Sequence, residues 1–164
     1  LTGAGYRWYE TANFCLEGER ARDRDLRARH NLAYWQGADY LGVGMGAVST
    51  LGSIRRRNQP SLARYVGALA RGGEPPRELE PLDARVKAVE RVMLGLRLDE
   101  PFVIARSGTA ATGDPGGMLD LAAARRLAAR GLVRCGLDSD GNRTLSLTRR
   151  GRFLGDGVTA ELLR

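Results

Sequence analysis

The chain has 164 residues, 43% hydrophobic and 27% charged, enough for one ordinary domain or two small ones with a core, and not the composition of a disordered tail. No apolar run approaches the roughly 18 residues that a bilayer requires. Cys15 and Cys135 lie far apart with no Cys or His beside them, which excludes a disulfide scaffold and a zinc ribbon and fits a reducing cytosol.

The net charge of +7 invites a nucleic-acid reading, yet 25 of the 26 basic residues are Arg, which reads as a composition bias. The excess is also spread evenly: residues 1–60 carry 9 basic and 6 acidic groups, and residues 61–164 carry 17 and 13, so neither part is a basic arm. The chain starts at Leu1 without a charged and then apolar leader, so no signal peptide is expected, and the sequence reads as a piece of something longer.

In chain order, residues 1–4 read as a last helical turn closed by Gly5, and Arg7 to Thr11 as a short strand. Residues 16–29 are mostly charged and read as a solvated loop or frayed helix, which makes Glu17/Glu19 and Asp23/Asp25 solvated acids rather than catalytic pairs. Gly42, Gly44 and Gly46 allow close backbone approach; a buried strand end with a tight turn and a cofactor contact both fit them. The dinucleotide fingerprint does not fit, because the third glycine comes one residue too early and no helix pattern follows. Residues 60–70 carry a helical stripe of Leu62, Tyr65, Val66 and Leu69, and the Gly/Pro run at 72–76 is a break. A second stripe, Val86, Val89, Val92, Met93 and Leu96, covers 82–98. Residues 107–117 read as loop, 118–130 as a helix stopped by Gly131, and 132–147 as a hairpin turning at 138–142. A last helix over 148–163 is expected to return Phe153, Leu154, Val158, Leu162 and Leu163 to the core. Helix, helix, hairpin, helix is a winged-helix-like order.

No nucleophile–base pair and no phosphate loop is visible, and a serine triad would rest on His30, the one histidine, without its strand–turn–helix elbow. The unusual cluster is Arg29-His30-Asn31-Leu32-Ala33-Tyr34-Trp35. If helical, it puts His30 and Tyr34 on one face and Asn31 and Trp35 on the adjacent one. An imidazole can ligate haem iron, flat rings can cover a porphyrin, and arginines can pair with its propionates. A structural histidine beside two core aromatics accounts for the same residues.

Tyr9-Glu10-Thr11-Ala12-Asn13-Phe14, His30-Asn31-Leu32-Ala33-Tyr34-Trp35 and the 39–49 stretch, in that order, resemble the HemW family of haem chaperones in the radical S-adenosylmethionine (SAM) superfamily. That family is also known as oxygen-independent coproporphyrinogen III oxidase-like. Met93 to Leu98, Arg130 to Val133 and Leu147 to Leu154 are similar to its C-terminal part. The resemblance implies an α/β plus α fold. Residues 1–59 would be the closing portion of a partial (β/α) radical-SAM barrel, with the HNxxYW segment. Residues 60–164 would be a mostly helical, winged-helix-like C-terminal domain.

It further implies a haem site of His30, Asn31, Tyr34 and Trp35, with His30 on the iron. It implies S-adenosylmethionine and a 4Fe-4S cluster in the full-length protein, with Val48, where many members have His, near S-adenosylmethionine. The three-cysteine cluster motif is missing from this sequence, so catalysis by this stretch alone is not expected. The partners implied are haem and apo-haemoproteins of the respiratory chain, with a homodimer left open and no specific nucleic acid. The location implied is the cytoplasm, peripheral to the membrane during haem delivery. The alternatives are an oxygen-independent coproporphyrinogen III oxidase and a winged-helix nucleic-acid module; in the latter the 118–130 helix offers Arg125, Arg126 and Arg130 among alanines that cannot read base edges.

Overall fold

The computed structural model describes residues 1–22, 24–105 and 115–163. In chain order they form β1 (Tyr6–Glu10), β2 (Asn13–Leu16), α1 (Arg29–Trp35), β3 (Val48–Leu51), β4 (Ile54–Asn58), α2 (Leu62–Ala70), β5 (Arg77–Pro81), α3 (Ala84–Gly95), β6 (Phe102–Ala105), α4 (Leu121–Ala129), β7 (Val133–Leu137), β8 (Arg143–Leu147), α5 (Arg149–Phe153) and α6 (Gly155–Leu162). Short 3-10 turns lie at Thr2–Ala4, Gly18–Ala21 and Pro115–Met118. The chain divides into two compact units, one of Leu1–Gly37 with Ala84–Arg164 and one of Ala38–Asp83.

In the larger unit, β1 and β2 form an antiparallel hairpin with a bulge between Trp8 and Glu10, and Trp8 stacks on Phe14. Gly5, at φ 82, closes the turn before it, as expected of a C′ glycine. The core lies further along the chain. Val92 of α3 and Leu96 just past its end meet Phe102 and Ile104 of β6, Leu127 of α4, Leu145 of β8, and Val158 and Leu162 of α6. The sheet runs β6-β8-β7, all antiparallel. Asp120 accepts from the free Ala122 and Ala123 N–H groups at the start of α4, and Gly131 at φ 70 follows its end. Asp138 organises the β7–β8 turn by accepting from the Asp140 and Asn142 N–H groups.

In the smaller unit, β3-β4-β5 is an antiparallel meander. Gly42 passes so close to Val48 that a Cβ there would lie 2.2 Å from the Val48 carbonyl oxygen, the close backbone approach expected of this glycine. Gly44 and Gly46 serve a different need, with φ values of 111 and 70.

Several expectations are corrected. Residues 41–47 are not a buried strand end: Leu41, Val43 and Met45 are exposed, and the strand begins at Val48. The α2 stripe is helical, but Leu62, Val66 and Leu69 are exposed and only Ala68 is buried. The last helix is two, because the chain leaves helical geometry at Leu154, and Phe153 and Leu154 stand exposed while Val158 and Leu162 enter the core. Residues 16–29 are, where described, largely exposed loop with one 3-10 turn, as their charge implies, and Ala21 is buried among them. All strand pairs among the described residues are antiparallel. Asp23 and most of the 107–117 loop lie outside the described residues. Among the described residues no helix is long and apolar enough to cross a membrane.

Candidate functional site

The site is built on α1, and the sequence around it explains why so short a helix holds its place. Tyr9, buried in β1, accepts a hydrogen bond through its hydroxyl from the Ala28 N–H at the helix start. Arg27 pairs with Asp25 at 2.7 Å and with Glu100, tying the segment before the helix to the loop after α3. The Arg27 guanidinium pulls the exposed Asp25 carboxyl down to about 2. Arg7 adds a forked pair to Asp99, with Nε and Nη2 at 2.7 and 3.0 Å.

The far end of α1 is held by a charge pair of higher cost. Glu10 is wholly buried and receives the Ala12 N–H, the Asn13 amide at 2.6 Å and Arg97 Nε at 2.8 Å. Burial pushes its carboxyl up; the three donors and the Arg97 charge outweigh that and hold it below the ordinary carboxylate value. Arg97 also lies over the Trp35 ring, 4.4 Å from its centroid, a cation–π contact. Tyr34 meets Trp35 edge to face at 5.2 Å. The Trp35 Nε1 donor is buried without a hydrogen-bond partner.

The helical premise for the His30–Trp35 segment therefore holds. His30 and Tyr34 are exposed, while Asn31 and Trp35 are half-buried on the adjacent face. The chemistry this permits is specific: an imidazole open to an approaching metal centre, an aromatic edge one turn away, and an indole fixed from behind by Arg97. Val48 belongs to the other unit, paired with Arg57 in the β3–β4 ladder and half-buried. The glutamate–arginine clamp was missed from sequence, because 87 positions separate Glu10 from Arg97 and no local pattern signals the pair.

The residues present do not fit an iron–sulfur cluster. Cys15 is buried in β2, Cys135 is exposed on β7, and among the described residues no three His, Cys, Asp or Glu side chains group as metal ligands. On α4, the helix considered for nucleic acid, Ala123, Ala124 and Leu127 are buried and Arg126 is paired with Glu161 at 3.7 Å.

No protein-family model matches the chain. The heme chaperone HemW of Mycobacterium tuberculosis is 36% identical over 163 residues, 99% of this chain and 36% of its own length. The chain is of the HemW type. HemW of Bacillus subtilis is 31% identical over 93 residues, 57% of this chain and 23% of its own length. HemW of Escherichia coli is 43% identical over 47 residues, 29% of this chain and 11% of its own length. Among solved structures, the radical SAM enzyme coproporphyrinogen III oxidase (HemN) from Escherichia coli shares the fold. Its TM-score is 0.63 at 22% identity, over 98% of this chain and 38% of that one. This HemW-type chain thus spans 36% of the length of its full-coverage relative, and α1 with its clamp is the candidate site within that span.

Proposed function

We propose that the protein containing this chain is a haem chaperone that binds haem and passes it to apo-haemoproteins, those of the respiratory chain in the first place. The observation that carries this reading is α1: an exposed His30, with Tyr34 and Trp35 beside it, on a helix fixed by Tyr9, Arg27 and the Glu10–Arg97 pair. Likeness to HemW proteins from several bacteria supports it. His30 would ligate the haem iron through a neutral ring nitrogen. Tyr34 and Trp35 would flank the macrocycle, and Asn31, half-buried one position on, would orient the loop or the imidazole.

A transferring protein must release its cargo. An exposed axial ligand on a surface helix suits that need better than a closed pocket does, because the acceptor can displace it without opening a core. S-adenosylmethionine and the 4Fe-4S cluster are assigned to the longer protein. Residues 1–59 would stand at the edge of its barrel, with Val48 as the position toward S-adenosylmethionine. The α3–β6–α4–β7–β8 order is assigned as winged-helix-like, which fixes no function by itself and includes no sequence-specific nucleic-acid contact. A cytoplasmic location with peripheral membrane association during delivery, and a homodimer, are compatible with this reading.

The second reading, an oxygen-independent coproporphyrinogen III oxidase, is favoured by the fold likeness to HemN. The two differ in one assay. Haem-loaded full-length protein mixed with apomyoglobin is expected to give up its haem, seen as growth of the myoglobin Soret band, and to leave coproporphyrinogen III unconverted under reducing conditions with S-adenosylmethionine. Conversion of coproporphyrinogen III without haem transfer would establish the oxidase instead.

A further inference from the structure

A groove of about 790 Å³ in the larger unit runs between the end of α3, the end of α4 and the corner where α5 turns into α6. Its walls are largely apolar, and Met93, Phe153 and Leu154 stand 47%, 72% and 53% exposed along it. The apolar surface does not stop at the groove. Phe153 packs on Trp8 with ring centroids 5.1 Å apart, and Trp8 stacks on Phe14, itself 36% exposed and outside the groove wall. Large apolar side chains gathered on one face mark a surface that a partner covers. A small molecule would fill the concavity and leave the Phe153–Trp8–Phe14 ridge bare, whereas a chain segment is long enough to take both.

The charges along the groove favour an anion. Arg97, Arg130 and Arg152 line it against two acids, Asp156 and Glu161, and Glu161 is engaged by Arg126 at 3.7 Å. Arg152 is 8% exposed, lies over Trp8 at 4.1 Å and donates through Nη1 to the Trp8 carbonyl. Among the described residues its buried Nε and Nη2 donors find no acceptor. The acids that act on it, Asp99 and Glu10, are themselves paired with Arg7 and Arg97, so its charge stands uncancelled in the groove wall. Arg130 is exposed at the end of α4, where an incoming carboxylate meets it first.

Apolar walls with arginines at the margin are complementary to large apolar side chains around a carboxylate, and exposed aromatics beside arginine are the composition of binding hot spots. We propose that this groove, with the ridge beside it, docks an acidic peptide segment of a partner protein. Large apolar residues of that segment lie against Met93, Phe153 and Leu154, and a glutamate or aspartate between them pairs with Arg130. The inference goes beyond the haem reading, since this contact needs neither iron nor His30.

The test uses two fluorescein-labelled peptides, Leu-Phe-Glu-Leu-Phe and Leu-Phe-Gln-Leu-Phe between Gly-Ser flanks, titrated into the full-length protein without haem and followed by fluorescence anisotropy. Wild type is expected to bind the glutamate peptide at least about fivefold more tightly than the glutamine peptide. Met93→Asp and Leu154→Asp, both at exposed positions, are each expected to weaken the glutamate peptide at least about tenfold, with urea unfolding curves close to that of wild type. Arg130→Ala is expected to weaken the glutamate peptide about fivefold and the glutamine peptide less than about twofold, since only the first offers a carboxylate. Wild-type protein that binds neither peptide, as when the rest of its own chain fills the groove, would overturn the proposal. So would groove variants that bind within about twofold of wild type, or equal losses for the two peptides in Arg130→Ala. No haem enters the titration, so this site and the haem reading can each fail while the other stands.

Discussion

Replacing Glu10 by alanine is expected to cost about 3 kcal/mol of unfolding free energy. The carboxylate is fully buried and satisfies three donors at once, so its removal takes the shared acceptor from the Asn13 amide, the Ala12 N–H and the partly exposed Arg97 and leaves a cavity where it stood. For a chain of this size that is a fall in Tm of roughly 6–12 °C. The pH dependence has a definite sign. The folded carboxyl titrates below its ordinary value of 4.5, so its contribution is full above that value and is lost as pH falls through it toward the folded one. Glu10→Gln keeps the shape and abolishes the titration. Urea unfolding from pH 7 down to pH 3 is therefore expected to show a loss of stability in wild type that is visibly shallower in Glu10→Gln. Equal slopes would show that other carboxyls carry the acid sensitivity.

Gly151→Ala is the second large effect. A Cβ at this position of α5 would lie 1.9 Å from the Leu132 carbonyl oxygen, and that oxygen already accepts the Thr148 N–H at 3.0 Å. The methyl group must push the start of α5 away from the β7 end, which breaks that bond and moves Thr148 off the Gly151 N–H it caps. Overpacking against backbone costs about 3 kcal/mol, while replacing glycine in a helix returns at most about 1, so the net loss is about 2 kcal/mol. Gly157 in α6 faces open space, and Gly157→Ala should stabilise by up to about 1 kcal/mol. Measured by urea unfolding, the two glycine variants should move in opposite directions. A neutral Gly151→Ala would mean that α5 can shift without cost.

What the sequence reveals depends on how local the cause is. The β7–β8 hairpin was legible because Asp138 and Gly141 sit in the turn between two β-rich runs, and α4 was legible because Gly131 stops it. β5 was not, because Arg-Glu-Leu-Glu-Pro shows no apolar alternation; it is held by pairing with β4, including an Arg55–Glu80 ion pair at 3.3 Å. That pairing also sets the limits of the smaller unit, which the Gly/Pro run at 72–76 had obscured. The last helix was misread because its stripe continues through Leu154, where the backbone turns and leaves Phe153 and Leu154 outside. At the site, the i, i+4 relation of His30 and Tyr34 was readable once a helix was assumed. The clamp that fixes that helix was not, since Tyr9–Ala28, Arg27–Glu100 and Glu10–Arg97 join segments that meet only in the fold.

The haem reading itself depends on one imidazole. His30 is exposed, so His30→Ala should change stability by no more than about 0.5 kcal/mol. The decisive measurement is the absorption spectrum and stoichiometry of the haem complex of full-length His30→Ala, beside wild type, with and without added imidazole. Loss of the histidine-ligated bands, with partial return when free imidazole is supplied, is the expected result. A variant that binds haem with the same spectrum and the same stoichiometry as wild type would contradict the assignment and leave His30 a surface residue of α1.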